Sequence, residues 1–336
     1  MTEQRVFITG MAGFLGSHLA RRFLQQGCSV TGCDNLLGGY LDNVPEGAEF
    51  RRIDCLDLKS LSAAMEGVDT VYHCAATAYE GLSVFSPFLV TENIVSASVA
   101  TFTAAIRNRV RRIVYCSSMA RYGTNEVPFR EEMPPRPQDP YGIGKVAAET
   151  YLRNLCEVHG VEWVICVPHN IYGPHQKYDD PFRNVAAIMI NLMLQGRQPI
   201  IYGDGTQKRC FSFVEDDLPV LTRLAFDDGV VGEIINIGPD EEFVTINELA
   251  HTIAELLEFE LHPTYFPGRP QEVALANCSA DKARRLLGYT TRYTLREGLD
   301  QTIEWIAAKG TRPFQYHLPL EIENGRCPET WTNHLF

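Results

Sequence analysis

The stretch VFITGMAGFLGSHLARRFLQQG, residues 6–27, limits what this chain can fold into more than any other. An apolar run ends at Gly10, further glycines follow at 13 and 16, and residues 14–26 then recur at helical spacing. Small residues at such intervals let the backbone approach a pyrophosphate. The helix beginning there turns its positive end toward it. A strand, a glycine loop and a helix in this order predict the first unit of a parallel sheet covered by helices on both faces.

The rest of the first half repeats the alternation. Strands are predicted at 5–9, 29–33, 49–53, 70–75, 112–117 and 163–168, with helices at 14–26, 58–66, 88–107 and 141–158. The fold class is therefore α/β, a doubly wound parallel sheet with a smaller C-terminal α/β domain. In that second part, helices are expected at 181–196, 246–257, 281–288 and 295–309, with short strands at 199–203 and 232–238. The 232–238 strand is expected to return to the first sheet. The dinucleotide-binding domain is thus 1–170 plus about 214–240, and the substrate domain is 171–213 plus about 241–336. The last two dozen residues are rich in proline and aromatics, and the sequence assigns them no role.

Composition narrows the partners. With 42 acidic against 30 basic residues the net charge is −12, so the chain gains nothing from a nucleic-acid backbone. Anionic ligands must be held by local devices. No stretch is expected to reach the roughly 20 apolar residues of a membrane span, and the N-terminus reads as a strand start, so no membrane association is expected. The 10 cysteines show no ligand spacing. They read as small core residues of a cytoplasmic protein that needs no metal.

Asp34 ends the second strand, 18 residues after Gly16. A carboxylate there accepts hydrogen bonds from adenosine ribose hydroxyls and repels a 2′-phosphate, which points to NAD. Asp54, after the third strand, suits either the adenine edge or a turn. Further along, DPYGIGKVAAETYL places Tyr141 and Lys145 four residues apart on one face of a helix, with Asp139 as cap and Pro140 in its first turn. A phenol of ordinary pKa near 10 is a poor base at neutral pH. A fixed ammonium and an oxidised nicotinamide favour its ionised form.

Gly10, Gly13, Gly16, Asp34, a serine before Tyr122-Gly123, and Tyr141 with Lys145 together resemble the extended short-chain dehydrogenase/reductase family. Within it the chain is most similar to the nucleotide-sugar epimerases and dehydratases, above all the UDP-sugar 4-epimerases. Matching segments include HNIYGP (169–174), YGDGTQKRCFSFVEDD (202–217) and GRPQEVALANCSADKARRLLGY (268–289), and the likeness runs to about residue 305. The resemblance implies Ser118, Tyr141 and Lys145 as the catalytic residues, with Ser117 a structural neighbour. It implies an NAD site of Gly10, Gly13, Phe14, Leu15, Gly16, Asp34, Asn35, Asp54 and Cys55. Ala75, Ala76, Asn93, Tyr141, Lys145 and Pro168 complete that site, although Asn93 also reads as a helix cap.

For the sugar nucleotide the resemblance implies Ser118, Asn170, Asn184, Tyr202, Arg209, Arg269 and Glu272, the two arginines gripping the diphosphate. Val167 departs from the arginine usual at its place. Ala276, small where a bulky residue narrows the sugar pocket, leaves room for an N-acetyl group. Residues that are absent matter too. Dehydratases of this group carry an acidic pair after the catalytic hydroxyl, decarboxylases a glutamate, and 3,5-epimerases a cysteine. Here Met119 and Ala120 follow Ser118. The chemistry implied is hydride transfer with one proton relay: an NAD-dependent 4-epimerase, or alternatively a 4-dehydrogenase or 4-ketoreductase. A homodimer through 88–107 and 141–158 is also implied. Arg121, where an apolar residue is usual, is expected to face solvent or pair with an acid such as Glu131, or else to reach substrate.

Overall fold

The computed structural model describes residues 4–336. From β1 (Arg5–Thr9) the chain turns through the glycine loop into α1 (Phe14–Gln25) and returns as β2 (Ser29–Asp34). Next come β3 (Glu49–Arg52), α2 (Leu58–Ala64), β4 (Thr70–His73) and the single-turn helix α3 (Glu80–Ser83). Then α4 (Pro87–Thr91), a π turn at Glu92–Ser96 and α5 (Ala97–Arg107) form one continuous helical run. β5 (Arg112–Cys116), α6 (Pro140–His159) and β6 (Glu162–Pro168) complete the six strands expected of the first half.

The second half holds β7 (Ile171–Tyr172), α7 (Val185–Leu194), β8 (Ile200–Tyr202), β9 (Lys208–Cys210), β10 (Ser212–Phe213), α8 (Val214–Arg223) and β11 (Ile234–Ile237). β11 returns to lie parallel beside β6, Ile234 opposite Ile165, in keeping with its apolar pattern. The result is a seven-stranded parallel sheet in the order β11-β6-β5-β4-β1-β2-β3. The order reverses between β1 and β4, which opens a crevice at the C-terminal ends of the strands. After β12 (Phe243–Thr245), α9 (Ile246–Leu256), β13 (Thr264–Phe266) and β14 (Leu275–Ala276) come α10 (Asp281–Leu287), α11 (Leu295–Lys309) and α12 (Glu329–Thr332). Small sheets β12-β9-β14 and β13-β8 sit in this part.

Three apolar cores hold these layers. Leu19, Phe23, Leu218, Leu221 and Leu287 cover one face of the large sheet from α1, α8 and α10. Leu61, Phe102 and Leu152 cover the other face from α2, α5 and α6. Ile190, Leu249 and Leu299 join α7, α9 and α11 in the third core.

Local rules explain the elements that matter for the site. The Asp139 carboxylate accepts the Gly142 N–H at 2.9 Å, Pro140 occupies the first turn, and Gly160 ends α6 with φ +68°. Gly10 has φ +72°, and a Cβ there would stand 2.9 Å from the Ala75 amide nitrogen. At Gly16 a Cβ would stand 2.1 Å from the Gly10 carbonyl oxygen, so α1 can start this close only without a side chain.

Two expectations need correction. The helix over 88–107 is not regular, because the π turn adds a residue in its middle. That run is also apolar enough to meet a membrane-span criterion: within the 21 residues Pro87–Arg107 an 18-residue window has a mean hydropathy of 1.4. Of its most apolar window 44% is buried in this fold, and α5 packs between α2 and α6, which accounts for the composition.

Candidate active site

One cavity of about 450 Å³ opens at the C-terminal ends of the large sheet. Every residue that the sequence singled out for cofactor, catalysis or substrate lines it, from Gly10 to Glu272.

At one end lies the glycine loop. Asp34 closes β2 with both oxygens engaged: Oδ2 accepts the Ala12 N–H at 3.1 Å and Oδ1 the Leu36 N–H at 2.7 Å. Burial raises its carboxyl, and those two N–H groups pull the other way. Each oxygen keeps a lone pair for a ribose hydroxyl. Asp54 has the turn role as well as a place on the wall, accepting from the Leu56 N–H at 2.8 Å and the Asn35 amide at 2.9 Å. Gly13, Phe14, Leu15, Cys55, Ala75, Ala76 and Pro168 add uncharged surface. Asn93 is not a helix cap. It stands inside the π turn, donates to the Leu89 carbonyl at 2.9 Å and faces the cavity.

The two serines after β5 part company. The Ser118 hydroxyl accepts the Ala120 N–H at 3.2 Å and hydrogen-bonds the Tyr141 phenol. Ser117 donates instead to the buried Glu149 carboxylate. Burial holds the Tyr141 phenol above its ordinary pKa, with Ser118 acting in the opposite sense. Lys145 is a turn further along α6. Its Nζ donates to the Cys116 carbonyl at 2.8 Å and lies 5.8 Å from the Tyr141 ring centre. Burial lowers its ammonium to about 8. The lysine is thus anchored to the strand end, with the phenol ring one helical turn away.

At the far end Arg209, on β9, and Arg269 share Glu272, at 4.0 and 3.0 Å. The Arg269 guanidinium also lies over the Tyr202 ring, 4.6 Å from its centre. Asn184 caps α7 by accepting the Ala186 N–H at 3.0 Å. Asn170 adopts φ +45° and donates to the Cys210 carbonyl at 2.8 Å. Val167 is fully buried in β6 and takes no part in the wall. Ala276 pairs with Arg209 across β14 and β9 and lines the cavity.

Arg121 contradicts the solvent reading and the Glu131 pairing alike. It is 3% exposed and pairs with Glu149 at 3.0 Å, beside Ser117 and away from the cavity wall. Glu131 instead accepts the Asn236 N–H at 2.9 Å. A buried guanidinium needs a buried carboxylate, and α6 supplies one behind β5.

Sequence reasoning missed three contributors. Glu80 opens α3 on the cavity wall, and Arg183 lies over the Tyr79 ring at 4.8 Å. The unassigned tail supplies the third. Trp331 is buried against Phe85 and Phe182, Thr330 hydrogen-bonds the Tyr202 hydroxyl, and Phe336 lines the cavity. Only the aromatic richness of the tail hinted at it. Among the described residues no cluster of metal-ligating side chains occurs.

A doubly wound parallel sheet, a glycine loop ending at an acid-tipped β2, and a Ser–Tyr–Lys group at the crevice define the class: an extended short-chain dehydrogenase/reductase. The chain belongs to the NAD dependent epimerase/dehydratase family, whose model matches residues 6–238. It is 32% identical over 316 residues to a UDP-glucose 4-epimerase of Mycolicibacterium smegmatis, a match covering 91% of this chain and 99% of that one. The structure of Thermotoga maritima UDP-glucose 4-epimerase with UDP-glucose superposes with a TM-score of 0.85 at 29% identity, covering 91% of this chain and 99% of that one. The UDP-glucuronic acid 4-epimerase of Bacillus cereus, in complex with UDP-glucuronic acid and NAD, superposes with a TM-score of 0.85 at 25% identity, covering 91% and 100%.

Proposed function

We propose that this chain is an NAD-dependent nucleotide-sugar 4-epimerase acting on a UDP-hexose. One observation carries the reading. Ser118, Tyr141 and Lys145 share a single cavity with the Arg209–Arg269 pair, and neither an acid nor a thiol follows Ser118. The residues at the glycine loop fit NAD: the approach at Gly10 and Gly16 is close enough to exclude a Cβ, and Asp34 presents two held oxygens to a ribose.

NAD held at the glycine loop and Asp34 would supply hydride acceptance and return at C4. The chain does the rest. Tyr141 accepts the 4-hydroxyl proton while Ser118 hydrogen-bonds the same oxygen. Lys145 favours the ionised phenol by charge, a role its lowered pKa confines to the pH range in which it stays protonated. Arg209 and Arg269 keep the diphosphate anchored while the 4-keto sugar turns over, after which Tyr141 returns the proton to the C4 oxygen. Asn170, Asn184, Tyr202 and Glu272 line the nucleotide's path, and Ala276 leaves space for an N-acetyl substituent. Binding at one end and chemistry at the other let the sugar rotate without loss of the substrate.

The division into 1–170 plus about 214–240 for NAD and 171–213 plus about 241–336 for substrate is supported by the pairing of β11 with β6 and by the separate small sheets of the second part. A homodimer through 88–107 and 141–158 is supported by exposed Phe88, Ile143, Tyr151 and Val158, the last three on one side of α6. The ten cysteines, scattered without ligand spacing, suit a reducing, cytoplasmic setting.

The test mixes purified protein, without added cofactor, with UDP-glucose and UDP-N-acetylglucosamine, followed by proton NMR and nicotinamide absorbance. A C4-inverted sugar with no lasting reduced nicotinamide is expected. Stoichiometric reduction with a keto product would make the protein a 4-dehydrogenase.

A further inference from the structure

Glu80 is the cavity acid that the mechanism leaves unused. Asp34 and Asp54 belong to the cofactor end, and Glu272 is held by two arginines. Among the described residues, by contrast, no hydrogen bond or ion pair reaches the Glu80 carboxylate, and only its backbone carbonyl is engaged, by Ser83. Its side chain is open, and the space it opens to is the cavity.

Its neighbours hold it from three sides. The Tyr79 hydroxyl donates to Asp180 at 2.7 Å. Gly81 lies against Arg269, where an added Cβ would stand 3.2 Å from a guanidinium nitrogen. The Ser83 hydroxyl reaches 3.4 Å to Asp139, the cap of the helix that carries Tyr141. The Glu80 carboxylate lines the same cavity as the arginine pair and the phenol, and its charge acts on them. On the epimerase reading, a hexose joined through C1 to a diphosphate on Arg209 and Arg269, with C4 at Tyr141, lies in the cavity that this carboxylate lines.

We infer that Glu80 is the sugar-facing specificity residue, accepting hydrogen bonds from an uncharged hexose and turning away a hexuronate. The inference rests on the epimerase reading and names its substrate class. A hexuronate would bring a second carboxylate into the same partly dry space, where like charges repel strongly. Partial loss of water inside the cavity raises the Glu80 carboxyl to about 7. Asp139 and Glu272 add to the rise, and Arg209 and Arg269 oppose it. Arg183, the cavity cation that could reverse this preference, donates to the Gly38 carbonyl at 3.2 Å, lies 3.9 Å from Asp180 and covers the Tyr79 ring, while its buried Nε has no hydrogen-bond partner.

The experiment measures kcat/KM for UDP-glucose, UDP-N-acetylglucosamine and UDP-glucuronate with the full chain and with Glu80→Gln. Calorimetric UDP binding reports that the variant is folded. The expected result is a wild-type preference for uncharged sugars of at least ~10-fold, the size of one good specificity contact. Glu80→Gln should shrink that ratio about tenfold and remove a break near neutral pH from the kcat/KM profile. Equal use of the uronate with a ratio unmoved in Glu80→Gln overturns the inference and leaves the epimerase intact. So does a uronate preference that Arg183→Met abolishes, which would give the sugar's charge to Arg183. No turnover of any of the three sugars, with UDP still bound, would instead sink the epimerase reading.

Discussion

The two walls of the cavity are built on different principles. The cofactor wall is local and made of backbone: Gly10, Gly13, Gly16 and Asp34 lie within one strand–loop–helix–strand unit, and its key contacts are closest approaches of main chain. The substrate wall is assembled from far-apart side chains. Glu80, Asn184, Tyr202, Arg209, Arg269 and the tail residue Phe336 come from widely separated places in the chain, with Thr330 and Trp331 behind them. The contrast teaches where tolerance lies. The first wall should fail when a methyl group is added, and the second when a charge or ring is removed.

Tyr141→Phe, where the walls meet, should have the largest effect: turnover falls about 10³-fold, within the range for a lost acid–base group. UDP and NAD binding should persist, checked by calorimetry. Turnover within a few-fold of wild type would end the assignment of Tyr141. Next comes the tail. Trp331 is 1% exposed, and Trp331→Ala should cost about 3–5 kcal/mol of stability, read from denaturant midpoints. If the midpoint barely moves, the tail is a loose cover and not part of the wall.

Smaller effects distinguish the walls from each other. Arg269→Ala should weaken UDP binding by about 1.5–3 kcal/mol while leaving NAD affinity unchanged, the scale of a charge-assisted contact. Gly10→Ala should do the converse. Its φ of +72° alone costs a side chain about 1–2 kcal/mol, and the Ala75 contact adds to that. A substitution that weakened both ligands equally would erase the comparison. The gentlest probe is pH. Lys145 has a folded value of about 8 against an ordinary 10.5, so between these the unfolded chain binds more protons. On this group's account stability should rise with pH from about 8 to 10.5, at up to about 1.4 kcal/mol per unit. Below that window it contributes no slope. Lys145→Met should flatten the rise in denaturant midpoints.

Most of the cofactor wall is legible in the sequence, because its signals are short-range. The glycine spacing, Asp34 at the strand end and the Asp139–Pro140 start of α6 each express a rule that operates within a few residues. Arg121 shows where this stops. Its sequence neighbours leave open solvent, Glu131 or substrate, and the choice fell to Glu149, 28 residues away on a helix packed behind β5. Asn93 reads as a cap or a site residue with equal reason. The π turn that aims it at the cavity belongs to the packing of the 87–107 run and has no motif of its own.

The sequence by itself determined the parallel sheet, the dinucleotide loop, the Tyr141–Lys145 pair and the family, since periodicity, caps and close-packed glycines are written in adjacent residues. Only the tertiary structure decided that Asn93 stands in a π turn, what Arg121 neutralises, that the tail reaches the cavity, and that Glu80 lines it. Those outcomes depend on which distant elements come into contact and on where a charge finds its partner once water is excluded.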